Sequence, residues 1–126
     1  MKEIRFFSAP DVAAERALPA EEAAHAVRVL RMKEGDALVA EVVRRLSDPT
    51  LKKSSMGIVT FSNVQKEYIE RRLSTAIAEK RLEREAYERE EPLFVKNLEN
   101  VQGDERDVIL FSVCYGPDRL GRVSLN

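Results

Sequence analysis

Residues 93–113, LFVKNLENVQGDERDVILFSV, constrain the fold more than any other stretch of the chain. Two short apolar runs, LFV and VILFSV, flank a polar loop that carries Gln102-Gly103-Asp104-Glu105. Apolar strand, glycine-containing polar loop, apolar strand is how an α/β sheet presents a ligand loop at its edge. A phosphate contact needs backbone N–H donors on a loop that approaches closely, and Gly103 permits that approach. A carboxylate beside it, Glu105, is placed to accept a hydrogen bond from a ribose hydroxyl. A plainer reading competes: Gly103 turns the chain, and Asp104, Glu105, Arg106 and Asp107 form a solvated loop.

The rest of the chain supplies a sheet and its crossovers. Residues 3–7 (EIRFF) read as a short strand, and Ser8-Ala9-Pro10-Asp11 as a turn. Pro19 opens a helix expected to run through Met32, with Ala23, Val27 and Leu30 on one face and Glu21 and Glu22 at the positive end of its dipole. Gly35 and Asp36 are expected to break it. A second amphipathic helix follows, with Val39, Val42, Val43 and Leu46 on one face, ended by Asp48-Pro49. Residues 57–61 read as a strand. The helix from Asn63 buries a stripe of Val64, Tyr68, Ile69, Leu73, Ala76 and Ile77. Its continuation from Ala78 to Glu91 is mostly charged and reads as a solvated extension, supported by pairs such as Glu85 with Arg89.

Composition narrows the function classes. A chain of 126 residues that is 44% hydrophobic is enough for one small core. With a net charge of −1 there is no global basic field to hold a polyanion, so any nucleic-acid contact has to be local. The single cysteine, Cys114, lies in an apolar run; it excludes an internal disulfide and reads as a buried thiol in a reducing compartment. One histidine and one cysteine make a zinc site an unattractive reading. No targeting segment and no apolar stretch of about 20 residues is visible, which gives the expectation of a soluble, cytoplasmic protein without a membrane partner.

Two resemblances add to this reading. Residues 39–126, through VKNLENVQGDERDVI and GIVTFSNVQKEYI, resemble part of the second RecA-like domain of Upf1-like superfamily 1 helicases. In that family a loop ending Gln-Gly-x-Glu touches both nucleotide and nucleic acid. The resemblance therefore implies nucleotide-binding roles for Gln102, Gly103, Glu105 and Gln65, and nucleic-acid-binding roles for Thr60, Asn97 and Asn100. The family usually has Thr or Ser where Asn97 stands and Asp where Glu99 stands; Asn97 and Asn100 still offer donors to phosphate. For Gln65 a local explanation competes, because Ser62-Asn63-Val64-Gln65 is a Ser-x-x-Gln capping box.

Residues 1–38, RFF…LPAEEAAHAVRVLRMKEGDAL, resemble the N-terminus of RsmE-type ribosomal RNA uridine methyltransferases. There a small PUA-like barrel begins this way, which implies RNA contact by His25, Arg28 and Arg31; a solvated helix face is the competing reading. Nothing after residue 38 continues toward the S-adenosylmethionine-binding domain of that family. The chain thus reads as two pieces, 1–38 and 39–126, joined between Gly35 and Val39. The join is marked by the change of resemblance, since 1–38 carry 6 basic and 7 acidic residues and 39–126 carry 15 of each.

The expected fold is α/β: a partial RecA-like parallel sheet of residues 57–61, 93–98 and 108–114 with flanking helices, plus an N-terminal strand–helix segment that is passively attached. The long helix from Asn63 is the right-handed crossover. Residues 97–105 are expected at the carboxyl edge, and Ile109 with Phe111 or Val113 inside the core. Three functions compete. The first is a fragment of an ATP-dependent DNA or RNA helicase, half of a nucleotide and single-strand cleft, inactive alone. The second is an RNA-binding segment of a methyltransferase, which requires a closed antiparallel barrel. The third is a fusion or artificial product with no evolved activity. The helicase reading implies ATP and Mg2+ in the parent and no cofactor for this chain alone. The sequence holds no Gly-x-x-x-x-Gly-Lys-Ser/Thr loop, no acidic metal-binding pair and no arginine motif. Expected partners are single-stranded DNA or RNA, bound weakly, and the first RecA-like domain of the parent; self-association is a further expectation.

Overall fold

In the computed structural model, residues 3–7 and 20–113 are described, with the side chains of 20–24, 26 and 27 excepted. Four strands, β1 (Glu3–Phe7), β2 (Met56–Thr60), β3 (Phe94–Asn97) and β4 (Val108–Ser112), form one sheet in the order β1-β4-β2-β3. Every pairing is parallel: β1 with β4, β4 with β2, and β2 with β3. The α/β fold with a parallel sheet is therefore as expected, and the sheet gains a fourth strand at its β1 edge. Cys114, Pro19 and the turn at residues 8–11 lie outside the described residues.

Two helices, α1 (Ala20–Ser47) and α2 (Asn63–Lys80), cover one face of the sheet and pack on each other. Side chains alternate across each strand. Met56, Ile58, Val108 and Leu110 face the helices and meet Leu38, Val42 and Leu46 of α1 and Ile69, Leu73 and Ile77 of α2. This parity corrects the expected core of the last strand. Val108 and Leu110 belong to the helix-side core, Ile109 is buried on the opposite face, and Phe111 and Val113 are only half-buried. On that opposite face Phe6 stacks on Phe111 with ring centroids 5.1 Å apart, and Phe61 meets Phe111 edge-on.

The expected break at Gly35-Asp36 does not occur, because α1 runs unbroken across it. A glycine inside a helix costs about 1 kcal/mol relative to alanine, so its presence needs a packing reason. A Cβ at Gly35 would lie 2.9 Å from two ring carbons of Tyr68 and 3.3 Å from the Gln65 amide nitrogen. Gly35 thus lies where α1 passes close to α2. Asp36 accepts from the Tyr68 hydroxyl at 2.8 Å beside that crossing. The residue where the two sequence resemblances meet lies inside this helix.

Nor is the N-terminal segment a passive attachment. β1 extends the sheet in register with β4, from Glu3 opposite Val108 to Phe7 opposite Ser112. Arg45, with its side chain only 6% exposed, holds it there: the guanidinium donates to Glu3 at 2.7 Å and to Glu41 at 2.7 Å. Because β1 pairs parallel with β4, the closed antiparallel barrel required by the RNA-binding alternative is not formed by the described residues.

The charged continuation of α2 also differs from expectation. The helix ends at Lys80, where Arg81 takes a left-handed conformation (φ 57°). The Leu82 N–H then returns to the Ile77 carbonyl at 2.9 Å, a Schellman-type stop that tucks Leu82 into the core. A short helix, α3 (Glu83–Tyr87), follows. Arg89 does not reach the Glu85 carboxylate; it donates to the carbonyls of Glu85, Lys52 and Lys53. No helix among the described residues is long and apolar enough to cross a membrane.

Two outcomes follow from these contacts. Gly35→Ala gains helix propensity but crowds the Tyr68 ring, and overpacking typically costs about 1–3 kcal/mol. A net loss of stability in urea is expected; a net gain would show that the helix crossing relaxes freely. The second concerns acid. Arg44, with Arg45 beside it, pulls the Glu41 carboxyl from its ordinary 4.5 down to about 2. A carboxyl whose folded value is depressed stabilises the fold above its unfolded value and loses that contribution as pH falls. Stability should therefore decline between about pH 4.5 and pH 2, and Glu41→Gln should flatten the decline in acid denaturation curves.

Candidate functional site

The carboxyl ends of β2, β3 and β4 converge on the first turn of α2, and polar side chains are buried there. Thr60, the last residue of β2, is fully buried and its hydroxyl donates to the Asn97 side-chain oxygen at 2.6 Å. Asn97 ends β3 opposite Thr60, and its amide in turn donates to the Asn63 side-chain oxygen. Thr60 and Asn97 are thus brought together, with Asn63 as a third member that sequence reasoning missed. Asn63 is exposed, as is Asn100 in the 3-10 turn Leu98–Asn100 that leaves β3. Thr60 and Asn97 stand behind the surface and Asn63 and Asn100 form it.

Gln65 sits one turn into α2 and is fully buried. Half of the expected capping box is present, since Ser62 Oγ accepts from the Gln65 backbone N–H at 3.1 Å. The Gln65 side chain does not return to the cap. Its amide nitrogen donates to the Arg31 carbonyl at 3.0 Å and to Glu34 Oε1 at 2.9 Å. The Ser112 hydroxyl, at the end of β4, donates to the same Glu34 oxygen. Gln65 and Arg31 are therefore joined, through the Arg31 backbone. Glu34 and Ser112 were not anticipated; the i, i+3 spacing of Arg31 and Glu34 with Leu38 was the signal available. Of the other candidates on α1, His25 and Arg28 are exposed, with the Arg28 guanidinium 3.4 Å from the His25 ring, whereas Arg31 is buried.

The loop of residues 98–107 behaves differently from expectation. Only its first residues lie at the carboxyl edge. Parallel pairing obliges the chain to return to the amino edge before β4, and it does so across the face opposite the helices. Lys96 on that face holds Asp104 at 2.8 Å. Arg106 donates twice to the Pro92 carbonyl at the amino end of β3, and Asp107 accepts from the Ser55 backbone N–H at 3.1 Å before β2. Glu105 consequently stands toward the amino end. The loop is seated on Phe94, whose ring carries Lys96 and Arg106 at 5.0 Å each and lies over Gly57, where a Cβ would fall 2.4 Å from the ring.

Gln102, Gly103 and Glu105 are exposed, whereas Gln65, Thr60 and Asn97 are buried. Gly103 has φ 79° with no atom within 4 Å of the place a Cβ would occupy, so its backbone is open to a phosphate. That openness fits a nucleotide's approach. A divalent cation finds less: no group of three or more metal-ligating side chains occurs among the described residues.

Comparison with known proteins agrees with the α/β fold. The chain is 40% identical over 82 residues to an uncharacterized ATP-dependent helicase of Mycoplasma genitalium and equally so to its homolog in Mycoplasma pneumoniae. Each match covers 60% of this chain and 7% of the relative, so the chain spans a small part of the length of these proteins. No solved structure matches the chain. A family model described as an AAA domain matches residues 6–119, from β1 to beyond β4 and across the whole of α1. The chain belongs to this AAA domain family.

Proposed function

We propose that the chain is a piece of an ATP-dependent DNA or RNA helicase, contributing half of a cleft for nucleotide and single strand. The observation that carries this is the Thr60–Asn97–Asn63 chain at the carboxyl ends of adjacent parallel strands. Open α/β sheets take ligands outside the carboxyl ends of their strands. At this edge Asn63 and Asn100 offer exposed amide donors suited to phosphate oxygens, while Thr60 and Asn97 hold Asn63 from behind. The open backbone at Gly103 would meet the nucleotide once the partner domain completes the cleft, whereas Glu105, nearer the amino end, would have to be reached from the partner domain's side. The similarity to ATP-dependent helicases supports this reading. ATP binding and Mg2+ chemistry are assigned to the parent protein rather than to this chain, whose sequence has no phosphate-binding loop.

Strand binding by the isolated chain is weak, because a net charge of −1 leaves few phosphate contacts. Each contact contributes about −0.7 to the log–log salt slope for single strands. Titration of a labelled oligonucleotide at two salt concentrations should give a shallow slope; a steep one would reveal a basic surface absent from this account. Asn100→Ala should weaken binding by about 1 kcal/mol, roughly fivefold, with stability unchanged. Unaltered affinity in that variant would remove Asn100 from the contact. ATP turnover by the chain alone should be undetectable; a metal-dependent turnover that disappears in Glu105→Ala would overturn that expectation.

A further inference from the structure

Two chains of buried polar bonds meet on the first turn of α2. Thr60, Asn97 and Asn63 form one; Ser112, Glu34 and Gln65 form the other. Glu34 enters the second chain from α1 and is 4% exposed. We infer that Glu34 is a positioning residue: it sets the orientation of the Gln65 amide and the Ser112 hydroxyl, and through Gln65 it holds the first turn of α2, with Asn63, over Asn97. Its consequence for strand binding rests on the function proposed above; the positioning itself does not.

The Gln65 amide is oriented entirely through its nitrogen. The Gln65 side-chain oxygen is buried without a hydrogen-bond partner, so it has no preference to impose. The nitrogen faces two acceptors, the Arg31 carbonyl and Glu34 Oε1. Turning the amide over would set its oxygen against both, leaving acceptor against acceptor in a site closed to water. The Arg31 carbonyl belongs to the helix backbone, whereas Glu34 reaches in from the side chain and also receives the Ser112 hydroxyl. Glu34 Oε1 thus accepts from both sides. Removing it strands two buried donors, one on α2 and one on β4, and a buried donor without a partner drives rearrangement or admits water. The nearest place to rearrange is the first turn of α2, whose cap is a single Ser62 hydroxyl.

Side-chain amide resonances of the full chain, recorded by 15N NMR, test this directly. Glu34→Gln keeps a carbonyl oxygen and the shape of the side chain; Glu34→Met keeps the volume and supplies no acceptor. The Gln65 and Asn97 side-chain amides should stay near their wild-type positions in Glu34→Gln and shift in Glu34→Met. Affinity for a labelled single strand should fall about tenfold in Glu34→Met and recover in Glu34→Gln. If Glu34→Met does not fold, the pair E34M/S112A, with one buried donor fewer to satisfy, takes its place. Wild-type amide positions in a folded variant lacking the acceptor would overturn the proposal, as would a Gln65 shift that leaves Asn97 unmoved. Should wild type bind no strand at all, the functional reading fails, and the amide resonances still decide the role of Glu34.

Discussion

The architecture depends on α1 being fixed at both edges of the sheet by polar side chains that it buries. Arg45 fastens it at the amino edge through Glu3, and Glu34 fastens it at the carboxyl edge through Ser112 and Gln65. Eleven helical residues separate the two, or about 16 Å at the rise of an α-helix. A five-residue strand is about as long. The apolar stripe that accompanies them, Leu38, Val42 and Leu46, therefore runs along β1 and β4. Removing one partner of a buried hydrogen bond leaves the other unsatisfied, at a cost of about 1–3 kcal/mol, so these anchors help to specify the alignment of α1 along its apolar stripe. The close crossing at Gly35 then sets how near α2 can approach, and with it the position of the α2 first turn over the strand ends.

The same geometry separates the site into two parts. Thr60, Asn97, Asn63 and Gln65 are gathered at the carboxyl edge, where they are held by buried bonds. The Gln-Gly-Asp-Glu loop is instead a crossover that leaves that edge, and its rigidity comes from the far end. Phe94 on Gly57, Arg106 on Pro92 and Asp107 on Ser55 pin residues 104–107 near the amino edge. Between the pinned ends, Leu98 is 52% exposed, and Glu99, Asn100, Gln102 and Gly103 are exposed with it. Such a loop has defined ends and an accessible middle, an arrangement suited to meeting a ligand that arrives between two domains.

Much of the sheet was legible in the sequence. The apolar runs at 57–61, 93–98 and 108–113 predicted three strands, and the stripe from Asn63 predicted the crossover helix. The apolar pattern of α1 was harder to follow, and the reason is specific. Its buried face carries Arg31, Glu34, Gly35 and Arg45 among the aliphatic residues. Charged side chains and a glycine at core positions read as solvent positions and a helix break, because their partners lie far away in the chain. Glu3 is 42 residues from Arg45, and Ser112 is 78 from Glu34. The pairing of Thr60 with Asn97 was legible only as two separate candidates, since register, not spacing, sets them side by side. Gln65 was readable as a cap or as a ligand residue, and its side chain does not return to the cap. It serves α1 instead.

These observations bear on how the N-terminal segment relates to the rest. A segment borrowed from an unrelated context would be expected to bury what its own fold requires and to leave its polar groups unmatched. Here Glu3 finds Arg45, Glu34 finds Ser112 and Gln65, and Gly35 supplies the clearance that Tyr68 needs. Each match joins a residue before position 39 to one after it. Mutual agreement of this kind between distant choices is what distinguishes a sequence that specifies one structure. The AAA domain match that runs from residue 6 to residue 119 is consistent with the same conclusion. β1 pairs within the sheet and α1 packs on it, and α1 is the element through which the sheet's two edges and the first turn of α2 are held together.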